Sequence, residues 1–168
     1  MADLAPPNRD VPLPGPPPRP PRGRVAGIDY GTVRIGIAIA DLSVGIASPL
    51  ETYQVQNPQV DAKYFRRLVE NEQVVRFVVG LPVHLDGQES QKSHEARQFG
   101  AWLSESTGCP VDFFDERFTS AQAEELLLAA NLTKKRRKAR LDALAAQILL
   151  TAYLEAGGRS QSDPGSIG

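Results

Sequence analysis

The sequence predicts an α/β domain built on a mixed β-sheet with helices on both faces. Three observations carry that prediction. Two apolar runs, Val25–Ile28 and Arg34–Ala40, flank the turn residues Tyr30-Gly31-Thr32, which is hairpin chemistry. Later short runs rich in β-branched and aromatic residues alternate with stretches of helical spacing. The apolar fraction, 41%, is enough for a core with helices over both faces of a sheet.

Taken in order, Met1 to Pro21 is dominated by proline, which lacks the N–H that helices and sheets need. Residues 1–22 therefore read as a disordered, Pro-rich tail. The domain is expected over 23–157, followed by a flexible polar tail over 158–168. Gly31 is free to take a positive φ in the first turn. Gly45 to Tyr53 is a third strand, and Ser48-Pro49 marks it as an edge. Pro58 to Asn71 is helical, with Tyr64, Phe65 and Leu68 on one face.

Val74 to Val79 reads as a central strand ending at Gly80-Leu81-Pro82. The next helix runs from about Ser90 to Ser106, with Ala96, Phe99, Trp102 and Leu103 as its core stripe. Gly108 and Pro110 stop it. Val111–Asp115 is a further strand. Thr119 caps a helix from Ser120 to about Ala130, with Gln122 at capping-box spacing. The last helix is expected over Leu141–Ala156, with Leu141, Leu144, Ala145, Ile148 and Ala152 on one face.

Composition narrows the function classes. The single cysteine, Cys109, excludes an intrachain disulfide and fits a reducing, cytoplasmic compartment. It reads as a small hydrophobe and not as a nucleophile. No apolar run approaches the length of a membrane span. The net charge of −1 means that nucleic acid would have to be bound by local basic patches.

Three acids stand where elements end. Asp29 closes the first strand, Glu116 follows the last strand, and Asp142 opens the last helix beside Ala145, Ala146 and Leu149. Each has an ordinary explanation: turn hydrogen bonding for Asp29, a surface ion pair with Arg117 for Glu116, a first-turn acid favoured by the helix dipole for Asp142. Together they suit a divalent cation, because converging carboxylates repel one another unless neutralised. Mg²⁺ takes a few carboxylates together with phosphate oxygens, and such ions support phosphodiester cleavage. Arg34 and Arg117 lie near these acids and could hold substrate phosphates. The run Lys134, Lys135, Arg136, Arg137, Lys138 and Arg140 precedes Asp142, as a solvated charged segment or as a phosphate-backbone contact. His84 and His94 lack metal-ligand spacing and receive no role.

The segment Asp29-Tyr30-Gly31-Thr32-Val33-Arg34-Ile35-Gly36 resembles the signature of the YqgF/RuvX family. The likeness continues at Val79-Gly80-Leu81-Pro82 with Asp86-Gly87, at Asp115-Glu116-Arg117-Phe118-Thr119 and at Asp142-Ala143-Leu144-Ala145-Ala146, and covers Arg24 to Leu154. It implies a ribonuclease H-like fold and a nuclease dependent on Mg²⁺ or Mn²⁺, with Asp29, Glu116 and Asp142 as the catalytic, metal-binding triad. It implies structured RNA as partner, in maturation of the 5′ end of precursor small-subunit (16S) ribosomal RNA, with ribosomal assembly intermediates as a further partner. The family was also proposed to resolve Holliday junctions, which makes branched DNA an alternative substrate. In related resolvases the second catalytic acid follows the strand that here ends Gly80-Leu81-Pro82. No acid stands there, so Glu116 substitutes from the neighbouring strand. Two other classes compete. The first hairpin is similar to the phosphate-binding hairpin of actin-like ATPases, although no second such hairpin follows, and a non-catalytic nucleic-acid-binding module would share the basic run.

Overall fold

A computed structural model of the chain describes residues 12, 14–16, 22–82, 89–116 and 134–157. The expected helix over Ser120–Ala130 with its Thr119 cap, the Asp86-Gly87 loop, His84, Arg117 and most of the proline-rich tail lie outside the described residues.

Among the described residues five strands form one sheet: β1 (Arg24–Asp29), β2 (Arg34–Asp41), β3 (Ala47–Gln54), β4 (Val74–Leu81) and β5 (Val111–Asp115), in the order β3-β2-β1-β4-β5. β1 pairs antiparallel with β2, and β2 with β3. β4 runs parallel to both β1 and β5, giving the mixed sheet expected. β3 is an edge strand. Its pairing slips between Ile37 opposite Glu51 and Ala38 opposite Pro49, a bulge that accommodates the proline.

Helices α1 (Pro58–Glu72) and α2 (Gln91–Thr107) cover one face, and α3 (Lys134–Glu155) covers the other. Asn57 caps α1 by accepting from the Val60 N–H at 3.0 Å, with Pro58 in the first turn. Gly108 ends α2 in the left-handed region at φ 74°. Strand alternation sends Ile28, Ile35, Ile37, Phe77, Val79 and Leu81 to the α1/α2 face, against Phe65, Leu68 and Leu103. Val25, Ala38, Ala40, Val78 and Phe114 go to the α3 face, against Ala146, Leu149, Leu150 and Tyr153. Cys109 is buried in the first layer, its Sγ 3.5 Å from the Val74 carbonyl, as a small hydrophobe would be.

Three expectations are corrected. Gly31 does not enter the left-handed region. It is small because a Cβ there would lie 2.5 Å from the Arg34 carbonyl oxygen. The last helix begins by Lys134, so the basic run is helical and Asp142 lies more than two turns inside. Lysine, arginine and alanine are good helix formers and nothing in the run breaks a helix. The helix-dipole explanation of Asp142 therefore falls. Of the expected α3 stripe, Ile148 and Ala152 are buried while Leu141, Leu144 and Ala145 are half-buried; the contact with the sheet runs through Ala146, Leu149, Leu150 and Tyr153. Apolar residues surround most of this helix, so periodicity alone did not select the face that meets the sheet.

Candidate nuclease site

Asp29 ends β1 on the α3 face of the sheet, because Ile28 before it points to the opposite layer. Its neighbours across the sheet are glycines on both sides. Gly36 pairs with it on β2. Ile28 pairs with Val79 on β4, so Gly80 is the next position along. A Cβ at Gly36 would lie 1.9 Å from the Asp142 carbonyl oxygen. One at Gly80 would lie 2.5 Å from Glu116 Oε1. The two glycines thus clear the ground on which α3 and the Glu116 side chain approach Asp29. Gly27, one pleat earlier on the same face, does the same for Ala146 and Leu150 of α3.

Asp29 feels the other two acids. Burial pushes Asp29 up to about 7, and the Glu116 and Asp142 carboxylates add to that push. Glu116 is also raised, by burial first and then by the neighbouring Asp115, with the Lys92 ammonium opposing. Asp142 is held by Arg34, whose Nε donates to its Oδ2 at 2.8 Å in a half-exposed ion pair. Among the described residues no three acidic, histidine or cysteine side chains stand close enough together to ligate one ion. The acids surround one region and Asp142 is turned toward the guanidinium.

In front of Asp29 and Glu116 opens a cavity of about 320 Å³, also bounded by Thr32, Pro82, Lys92 and Glu95. Lys92 and Glu95 come from the first turns of α2 and carried no signal in the sequence. Gly36 and Gly80 did carry one, since glycine inside a strand marks a close approach of other atoms. Asp115, 6% exposed, reads in the sequence only as the end of a strand. The basic run occupies the start of α3, leading into Asp142; Arg117 lies outside the described residues.

The family profile RuvX, described as Holliday junction resolvase, matches residues 23–156. A candidate pre-16S rRNA nuclease of Rhodopirellula baltica is 52% identical over 137 residues, covering 82% of this chain and 79% of that protein. One from Koribacter versatilis is 37% identical, covering 84% and 93%. Among solved structures, the Fowlpox virus resolvase in complex with Holliday junction DNA superposes with a TM-score of 0.52 at 10% identity. It covers 81% of this chain and 99% of that one, a likeness of fold.

Proposed function

The chain belongs to the RuvX family, with the ribonuclease H-like fold, and on that footing we propose that it is a nuclease that matures the 5′ end of precursor 16S ribosomal RNA. It hydrolyses phosphodiester bonds. The observation that carries the site is the row Gly36–Asp29–Gly80, over which α3 brings Asp142 and the end of β5 brings Glu116. Glu116 leans into the space a side chain at Gly80 would fill, which explains how an acid from β5 replaces one after β4.

The donor set is three carboxylates, hard oxygen ligands of the kind Mg²⁺ and Mn²⁺ take, and their mutual repulsion at Asp29 is what a cation relieves. Asp29 and Glu116 would hold it, joined by Asp142 once its carboxylate is released from Arg34, and bound there it would supply water activation and stabilisation of the leaving oxygen. Asp29 and Glu116 present carboxylates to the cavity that admits the scissile phosphate. Lys92 lines the same cavity as a cation for phosphate oxygens. Arg34 orients Asp142, and released from that pair its guanidinium would bind substrate phosphate. Arg117 and the basic run at the start of α3 extend this grip along the backbone of the nucleic acid. Ribosomal assembly intermediates are the natural carriers of such a substrate, and the cytoplasm its compartment. No described helix is long and apolar enough to cross a membrane.

The family description also names Holliday junctions, so the test offers both substrates. Wild type and Asp29→Asn, Glu116→Gln and Asp142→Asn are assayed on precursor 16S RNA and on a four-way DNA junction, with Mg²⁺, Mn²⁺ or chelator. Cleavage of the RNA near its mature 5′ end, lost in all three variants while binding persists, is expected. Full cleavage by Asp29→Asn would refute the triad, and cleavage of the junction alone would reassign the substrate.

A further inference from the structure

Asp29 and Tyr30 are consecutive, so their side chains leave the strand end toward opposite faces. Asp29 serves the acidic cavity. Tyr30 lies at the lip between that cavity and a second one, of about 280 Å³, on the α1/α2 side. The two cavities share Tyr30 and Glu95. The second is lined by a run of rings. Tyr30 stacks on Phe99 with centroids 4.6 Å apart and planes 20° apart, and Phe99 lies 5.6 Å from Trp102. All three rings are half-buried, and Ile35 and Val55 complete the apolar wall. The polar groups there are Glu95 and Gln98, together with the buried Asp61, whose Oδ1 already accepts from the Tyr53 hydroxyl and the Gln56 N–H.

That chemistry selects an occupant. Carboxylates with no cation among the lining residues repel a phosphate, so the second cavity, unlike the first with its Lys92, is not an extension of the backbone track. Flat apolar faces together with the Glu95 carboxylate and the Gln98 amide suit a nucleobase, whose faces stack and whose edge carries N–H donors and acceptors. We propose that this cavity takes one unpaired base of the substrate strand, the one next to the phosphate in the first cavity. The proposal rests on the nuclease reading and adds a substrate requirement: the strand must be unpaired at that position, since a base within a duplex cannot reach the rings. Trp102, expected from its spacing to be a packing residue, gains a second task as one wall of the pocket.

The test is an abasic scan of the full-length protein. A short labelled single-stranded RNA is compared with a series in which each member lacks one base, all in Ca²⁺ to hold the strand uncut. Binding is read by anisotropy and by the fluorescence of Trp102, the chain's one tryptophan. Removing one particular base should weaken binding about tenfold and abolish the Trp102 quenching that the intact strand causes. In Trp102→Leu the intact strand should bind about tenfold more weakly, and the penalty for that base should vanish; Trp102→Phe should retain both. If Trp102→Leu fails to fold, the wild-type scan and the quenching decide alone. A flat scan without quenching overturns the pocket, as does a penalty that persists in Trp102→Leu. Quenching that depends on protein concentration without RNA would mean that a second copy occupies the site and would also overturn it. Wild type is then moved to Mg²⁺ with precursor 16S RNA. Cleavage alongside a flat scan refutes the base pocket and leaves the nuclease reading. Absence of both binding and cleavage refutes both.

Discussion

Adding one methyl at Gly36 and one at Gly80 should damage the protein in two different ways. At Gly36 the new Cβ would lie 1.9 Å from the Asp142 carbonyl oxygen and 2.2 Å from its carbonyl carbon, whereas real Cβ atoms stay beyond 3.0 Å from such neighbours. Both obstructing atoms are helix backbone, so α3 must recede by about 1 Å or more along its buried face. Overpacking of this kind costs about 1–3 kcal/mol, and backbone against backbone belongs at the upper end. Removing a flexible glycine from a strand returns roughly 0.5–1 kcal/mol. Gly36→Ala should therefore lose about 2 kcal/mol, a fall in Tm of roughly 6 °C. At Gly80 the clash is with Glu116 Oε1 at 2.5 Å, the far end of a side chain that can rotate away. Stability should stay within about 1 kcal/mol of wild type, because replacing a flexible glycine in the strand offsets the crowding. Glu116, however, is pushed off its place beside Asp29, and a displacement near 1 Å can cost about 100-fold in turnover. Thermal melts and single-turnover cleavage of the two variants provide the comparison. Wild-type turnover in Gly80→Ala, or a wild-type Tm in Gly36→Ala, would refute the reading that these glycines make room for the two acids.

Two further outcomes follow from the electrostatics. In chelator, Asp29→Asn should be more stable than wild type at pH 8 and not at pH 4. With Asp29 raised from 3.8 to about 7, stability is fully present below the unfolded value and lost as pH rises through the folded one. The full difference corresponds to roughly 4 kcal/mol, reduced to roughly 2 because the carboxylate opens on a solvent-accessible cavity; a pH-independent difference between the two melting curves would contradict the cause assigned. Changing Lys135, Arg136 and Arg137 to alanine should weaken binding to unrelated RNAs by similar factors. The slope of log affinity against log salt should become shallower by roughly one for each phosphate no longer neutralised, with cleavage at saturation preserved. An unchanged salt slope would make the run a solvated helix surface.

Much of the fold was legible because it rests on short-range signals. The turn at Tyr30-Gly31-Thr32, the proline at the start of α1, the edge proline of β3 and the glycine that closes α2 each act on a few neighbouring residues, and each element stands where those residues place it. The acids were legible for a related reason. A carboxylate at the end of an apolar strand is costly without a purpose, as at Asp29. The start of α3 was not legible, because a run of lysine and arginine suits a solvated loop and a helix surface alike, and only its helix propensity favours the second.

Strand and helix order among the described residues, the mixed sheet and the family all follow from the chain read residue by residue. They rest on local backbone preferences and apolar periodicity, which act along the chain. What meets across the sheet was settled by packing. The stripe of α3 that packs was selected by the small residues beneath it, Gly27, Gly36 and Ala38, because that is where a helix can come closest. Arg34 and Asp142, 108 residues apart, became an ion pair. Lys92 and Glu95 joined the acids, and Tyr30, Phe99 and Trp102 came to line one cavity. Such meetings depend on pleat, register and helix rotation together, and no spacing along one element encodes all three.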